Sequence, residues 1–93
     1  MRKIERTNQF KRDYKRESKG RHRTTLETTF VGVLKELINN LPLADKHRDH
    51  SLTGDWPDHR DCHIKPDLVL IYRMPDDEVL QLVRLGSHSE LGL

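Results

Sequence analysis

The apolar positions of this 93-residue chain change their period about halfway along. In the first half Leu26, Phe30, Val33, Leu34, Leu37, Ile38 and Leu41 recur at steps of three and four, which predicts a helix with one buried stripe starting at Thr24 or Thr25. Ahead of it Phe10 and Tyr14, four apart, mark the thin apolar side of another helix, capped by Thr7 or Asn8, running to about Lys19 and stopped by Gly20. Lys3–Arg6 reads as a short strand before that helix. Asn39-Asn40 and Pro42 end the second helix, and residues 42–49 read as a polar loop. From Leu52 onward the beat is that of strands. Residues 60–64, 68–73 and 79–85 form β-rich runs, with a turn at Lys65-Pro66 and a hairpin across residues 74–78. Two helices followed by an antiparallel meander predict an α+β fold, both helices packed on one face of a twisted antiparallel sheet and the other face open.

Ninety-three residues make a single domain, residues 1–93, able to bury about two thirds of its unfolded surface. Cys62 is the only cysteine, which excludes an intramolecular disulfide and any CxxC zinc or redox pair. The longest strongly apolar run, residues 68–72, is too short to cross a bilayer, and the amino-terminal residues lack the apolar stretch of a signal peptide. No membrane role and a cytoplasmic location are the expectations. The net charge of +2 hides a segregation: residues 1–23 carry ten Lys or Arg against three acids, +7, and the remainder sums to −5. A positive end of that kind suits a phosphate backbone, with Lys11, Arg12, Lys15 and Arg16 of the first helix as its anchors.

The second half concentrates titratable side chains. His50, His59 and His63 fall within residues 50–67, beside Asp61 and Asp67, and Gly86-Ser87-His88 adds another histidine near the end. Imidazole titrates near neutral pH, so the stretch suggests proton transfer. Alternation along the first strand of the meander puts His59, Asp61 and His63 on one face and Arg60, Cys62 and Ile64 on the other. With Cys62 and Ile64 toward the core, Asp61 and His63 face outward, where Asp67 and His50 can join them. Such a set suits phosphodiester cleavage by the adjacent 2′-hydroxyl, which needs a base on that hydroxyl and an acid on the leaving oxygen. Arg60, Lys65 or Arg84 can stabilise charge on the phosphate. His22, His47 and His59 read as solvated surface, Trp56 and Tyr72 as packing, Asp61 as a brace for a neighbour, and Cys62 as a small buried hydrophobe. A zinc site from Asp45, His47, Asp49, His50, Asp61 and His63 is disfavoured by the lack of an HExxH helix or a tight ligand pair; no metal or cofactor is expected.

Lys46-His47-Arg48-Asp49-His50-Ser51-Leu52-Thr53-Gly54-Asp55-Trp56, then Arg60-Asp61-Cys62-His63-Ile64-Lys65-Pro66-Asp67, Leu70-Ile71-Tyr72-Arg73 and Arg84-Leu85-Gly86-Ser87-His88-Ser89-Glu90-Leu91 closely resemble the YafQ branch of the RelE-like bacterial toxins. The similarity extends back through Leu37-Ile38-Asn39-Asn40-Leu41-Pro42-Leu43 and so covers about the last two thirds of the chain. The resemblance implies the RelE-like fold and a metal-independent endoribonuclease that cuts messenger RNA in the A site of the 70S ribosome, held inactive by a cognate antitoxin. Carried over by position, it implies His50, His63, Asp67 and His88 as the acid–base set: His50 and Asp67 as candidate bases, His88 as acid or phosphate partner, His63 as orienting or sharing the proton. One departure stands out: members often carry an aromatic residue shortly after the segment corresponding to Ser89-Glu90-Leu91, where this chain reads Gly92-Leu93. Weaker base stacking follows from that departure, unless Trp56 or Tyr72 serves instead. A toxin fold of reduced activity, acting with its antitoxin as a repressor of its own operon, is the alternative reading.

Overall fold

A computed structural model describes all 93 residues. Its elements are β1 (Lys3–Arg6), α1 (Asn8–Ser18), α2 (Arg23–Glu27), α3 (Thr29–Ile38), a 3₁₀ turn (Asp45–His47), β2 (His50–Ser51), β3 (Arg60–Lys65), β4 (Leu68–Arg73), β5 (Val79–Gly86) and α4 (His88–Leu91). The α+β class, the antiparallel meander β3-β4-β5 and the helices on one face are as the sequence predicts. The full sheet has five strands in the order β1-β5-β4-β3-β2. β1 joins it in parallel against β5, so the sheet is mixed.

Local chemistry accounts for most boundaries. Thr7 caps α1, its hydroxyl accepting from the Phe10 N–H at 3.0 Å and donating to the Val83 carbonyl at 2.7 Å. The second predicted helix is broken in two at Thr28, whose backbone leaves the helical region (φ −122°, ψ −82°). Thr28 Oγ1 donates to the Thr24 carbonyl at 3.0 Å, and this β-branched residue favours the bend over a continuous helix. The apolar stripe survives the break, since Leu26, Phe30, Val33 and Leu37 are all buried, while Leu41 lies beyond the helix and is exposed.

β4 sits at the centre of the sheet, and its residues from Leu68 to Tyr72 are buried. Alternation sends Leu68, Leu70 and Tyr72 into the main core with Phe10, Phe30 and Val33, and Val69 and Ile71 to the opposite face. That second face is less open than the sequence suggests. Leu91 of α4, Leu52 and Trp56 lie over Val69 and Ile71 and cover part of it. Cys62 and Ile64 are buried on the core side, as alternation requires, and burial pushes the Cys62 thiol far above its usual range, which leaves it an inert hydrophobe.

Candidate active site

On the partly covered face the strands deliver the expected side chains to one place. β2 exists to pair with β3: His50 lies opposite Asp61 and Ser51 opposite Arg60. Asp61 and His63, two apart on β3, point the same way. At the end of β5 Gly86 leads into α4, which is fixed by a capping box: Ser87 Oγ accepts from the Glu90 N–H at 3.2 Å, and Glu90 accepts from the Ser87 N–H at 2.9 Å. His88 is the first residue of that helix, and its ring meets His63 edge to face with centroids 5.0 Å apart. Asp67, in the turn after β3, places Oδ1 at 3.8 Å from His88 Nδ1, while Oδ2 accepts from Arg21 at 3.1 Å. His50, His63, Asp67 and His88 thus form one connected row through Asp61.

Asp61 is the member that sequence reasoning undervalued. It is 3% exposed, and His50 Nδ1 lies 3.0 Å from its Oδ1. The same Nδ1 is 2.7 Å from the Arg48 carbonyl, so the imidazole proton is aligned on the carbonyl and Oδ1 is close but has no aligned hydrogen bond. Both neighbours of Nδ1 are acceptors. Nδ1 therefore carries hydrogen, and Nε2 is left for substrate. Burial raises the Asp61 carboxyl above its ordinary value, opposed by the charges of His50, His63 and His88. His63 shifts the opposite way: burial lowers it, Asp61 pulls it up, and His88, Arg48 and His50 push it further down.

One histidine also departs from expectation. His47, read as solvated, is buried in the 3₁₀ turn, and its Nδ1 donates to the His63 carbonyl at 2.7 Å. It fixes the backbone of β3 behind a site residue. No local pattern reveals this, because the partner is sixteen residues away. His59 is half-buried, its Nδ1 on the Pro57 carbonyl and its ring edge-on to Trp56 at 5.4 Å.

The expected phosphate-binding cations divide into groups. Lys11, Arg12 and Lys15 are exposed along α1, and Lys65 is exposed at the end of β3. Arg60 bonds to Asp49 at 3.3 Å and to Ser51 at 2.9 Å. Arg16 and Arg84 are engaged in a clamp on Asp13, a buried carboxylate of α1. Arg84 Nε reaches Asp13 Oδ2 at 2.7 Å, Arg16 Nη1 reaches Oδ1 at 3.0 Å, and the Leu85 N–H donates to Oδ2 at 3.0 Å. Burial alone would raise the Asp13 carboxyl, but these partners, Arg84 foremost, hold it below its ordinary value. Arg16 also donates to the Leu85 carbonyl at 2.9 Å and lies 3.3 Å from Glu90, so the clamp grips the strand end that carries His88. A Cβ on Gly86 would come within 3.0 Å of the Arg16 guanidinium, which explains a glycine at this crossing.

Of the two aromatic side chains considered as a stacking surface, Tyr72 is 1% exposed in the main core and its hydroxyl donates to Asp49, so it is unavailable. Trp56 lies half-buried on the same face as the histidines.

Histidines and aspartates thus line one face of the sheet, and α1, α2 and α3 pack on the other. Residues 2–92 match the model of the bacterial toxin of type II toxin–antitoxin systems, YafQ, and the chain belongs to that family. It is 40% identical over 92 residues to the mRNA interferase toxin YafQ of Escherichia coli K12, an alignment that spans 98% of this chain and 96% of the relative. The crystal structure of YafQ from E. coli strain BL21(DE3) superposes with a TM-score of 0.83 at 36% identity, covering 98% of each chain. The E. coli DinJ-YafQ toxin–antitoxin complex matches with a TM-score of 0.82 at 37% identity, covering 97% of this chain and 96% of that one. No helix is long and apolar enough to cross a membrane.

Proposed function

We propose that this protein is an mRNA interferase toxin, a metal-independent endoribonuclease that cuts messenger RNA in the A site of the 70S ribosome by general acid–base catalysis. The observation that carries the reading is the convergence of His50, His63, Asp67 and His88 around buried Asp61 on one sheet face, in a chain of the YafQ family. His50 acts as base: with Nδ1 held by the Arg48 carbonyl and Asp61, Nε2 takes the proton of the ribose 2′-hydroxyl. The freed O2′ attacks phosphorus and the 5′-oxygen leaves. His88, with Asp67 at 3.8 Å from its Nδ1 and Arg21 in turn positioning Asp67, returns a proton to that oxygen. His63, kept neutral by burial, sits between them and shares the proton work. Lys65, exposed at the end of β3, supplies positive charge toward the phosphate, while Arg60, on the other face of β3 and bonded to Asp49 and Ser51, adds charge at the sheet edge.

A cognate antitoxin restrains the activity, and the cytoplasm, where ribosomes translate, is the place of action. Lys11, Arg12 and Lys15 anchor the toxin to ribosomal RNA. Arg16 and Arg84 contribute to RNA binding through their remaining donors, but their first partner is Asp13. A variant that is to weaken ribosome binding without disturbing the fold should therefore replace Lys11, Arg12 and Lys15 and spare Arg16. Its ribosome affinity should depend less steeply on salt, and an unchanged dependence would make the basic helix mere surface.

The decisive experiment presents translating ribosomes with a defined message. Wild type should cut it with or without a chelator, and His63→Ala or His88→Ala should lower the rate roughly 10²- to 10⁴-fold. Silence from folded wild-type protein would instead favour the toxin-fold module that acts with its antitoxin in operon autorepression.

A further inference from the structure

The row of side chains that carries Asp61 and His63 continues past the histidine cluster. Asp61 pairs with Ile71 across β3 and β4, and Arg60 pairs with Tyr72. His59 precedes Asp61 by two positions and Arg73 follows Ile71 by two, so both extend the same face toward the hairpin, about 7 Å beyond Asp61 at the usual strand rise. There the surface opens into a polar hollow of about 600 Å³ lined by Ser51, Asp58, His59, Arg60 and Arg73 among others.

Arg73 is the unusual member. Its Nε is buried and has no hydrogen-bond partner. None of the protein's ion pairs includes it, whereas Arg60 beside it is already matched by Asp49. Asp58, the one acid of the hollow, is exposed and pairs with neither arginine. A buried guanidinium donor without an acceptor costs stability, and folded proteins rarely keep one without use. An arginine fork matches two oxygens of a phosphate in one plane. Arg60 and, when protonated, His59 add positive charge from the same wall, and the Ser51 hydroxyl adds a polar group.

We propose that this hollow is a phosphate subsite, in which Arg73, supported by Arg60 and His59, holds a backbone phosphate of the RNA strand near the one being cut. The identity of the strand rests on the ribonuclease reading; the anion site itself does not. Arg73 binds and positions and takes no part in the proton transfers. The hollow takes His59 and Arg73 from the face that carries Asp61 and takes Arg60 and Ser51 from the other, so it lies at the end of the sheet next to the histidines, and a strand gripped there is also fixed in register over the reacting ribose.

Two measurements test it. In isotope-labelled wild-type protein, inorganic phosphate should shift the Nε–Hε resonance of Arg73, and Arg73→Gln should abolish the phosphate-induced shifts of His59 and Ser51 while the protein still melts as wild type does. On ribosomes carrying a message with a 2′-deoxy nucleotide at the cleavage position, Arg73→Gln should bind roughly 10-fold more weakly. The slope of log affinity against log salt should fall by about 0.7, the value for one single-strand phosphate contact. Arg73→Lys should restore most of that slope because it keeps the charge. A phosphate-induced shift with an unchanged salt slope would overturn the RNA assignment, and absence of the shift would overturn the subsite. Failure of wild type to cut an unmodified message would refute the ribonuclease reading alone, since the phosphate titration does not depend on cutting.

Discussion

Asp13 and Asp61 are two carboxylates buried to nearly the same depth, 4% and 3% exposed, and their surroundings drive them in opposite directions. Asp13 meets two guanidinium groups and a backbone N–H, and its carboxyl falls below the ordinary range. Asp61 meets only imidazoles, one of its oxygens lacks an aligned hydrogen bond, and its carboxyl rises. Burial penalises both charges equally well; the difference lies in whether permanent cations repay the desolvation. Arginine stays charged at any pH the protein meets, so Asp13 is a fixed clamp. Histidine changes charge near neutrality, so the field around Asp61 varies with the protonation of His50, His63 and His88. One site fixes the end of β5, and the other is poised to respond to protons.

The largest effect should come from breaking the clamp. Asp13→Ala leaves Arg84 half-buried without its partner and the Leu85 N–H without an acceptor, and should cost about 3 kcal/mol of folding stability. A loss of unfolding free energy in urea titration of less than a third of that would show that the clamp is incidental. Cleavage should fall as well, because Arg16 and Leu85 anchor the turn that presents His88.

Asp61→Asn should do the reverse. Removing an unmatched buried charge while keeping the side chain's shape should leave stability at pH 7 unchanged or raised by about 1 kcal/mol. The rate should fall roughly 10-fold, because His50 loses the carboxylate that orients it. A pH profile separates this from a packing defect. Wild type should gain activity as pH rises through the lowered value of His63, below the ordinary 6.5. Asp61 is the one neighbour that raises His63, so in the variant that rise should move to still lower pH. An unmoved acid limb would remove Asp61 from the proton network.

This contrast also marks what could be read from the chain. Alternation over residues 59–64 was enough to put Asp61 and His63 on one face and Cys62 and Ile64 on the other, and Thr7 is visible as a cap. Such features depend on period and on neighbours within one turn. The clamp does not: Asp13 and Arg16 are a local pair, but Arg84 lies 71 positions from Asp13, and only the packing of α1 on β5 unites them. Parallel pairing of β1 with β5 likewise joins strands with three helices and every other strand between them in sequence. His47 looked like surface because its partner, the His63 carbonyl, is a backbone atom that no residue type announces. The break at Thr28 was obscured by an apolar stripe that continues through it.

The smallest expected effect is the most discriminating, because the two carboxylates should contribute to acid stability with opposite sign. Asp13 is depressed in the folded state, so the stability it contributes is fully present above the unfolded aspartate value, about 3.9, and is lost as pH falls through its lower folded value. Asp61 is raised, so the native state holds its proton to higher pH than the unfolded chain does. Its penalty is absent below about 3.9 and grows as pH rises to its folded value, then stays constant. The stability difference between wild type and Asp13→Asn should therefore shrink on acidification below pH 4. That between wild type and Asp61→Asn should also shrink on acidification, but in a higher window, between the point where Asp61 ionises and about pH 4. Urea titrations of the three proteins across this range should give mirror-image difference curves. Two curves of the same sign would mean that imidazoles neutralise a buried carboxylate as well as guanidinium groups do, and the distinction between clamp and proton site would be lost.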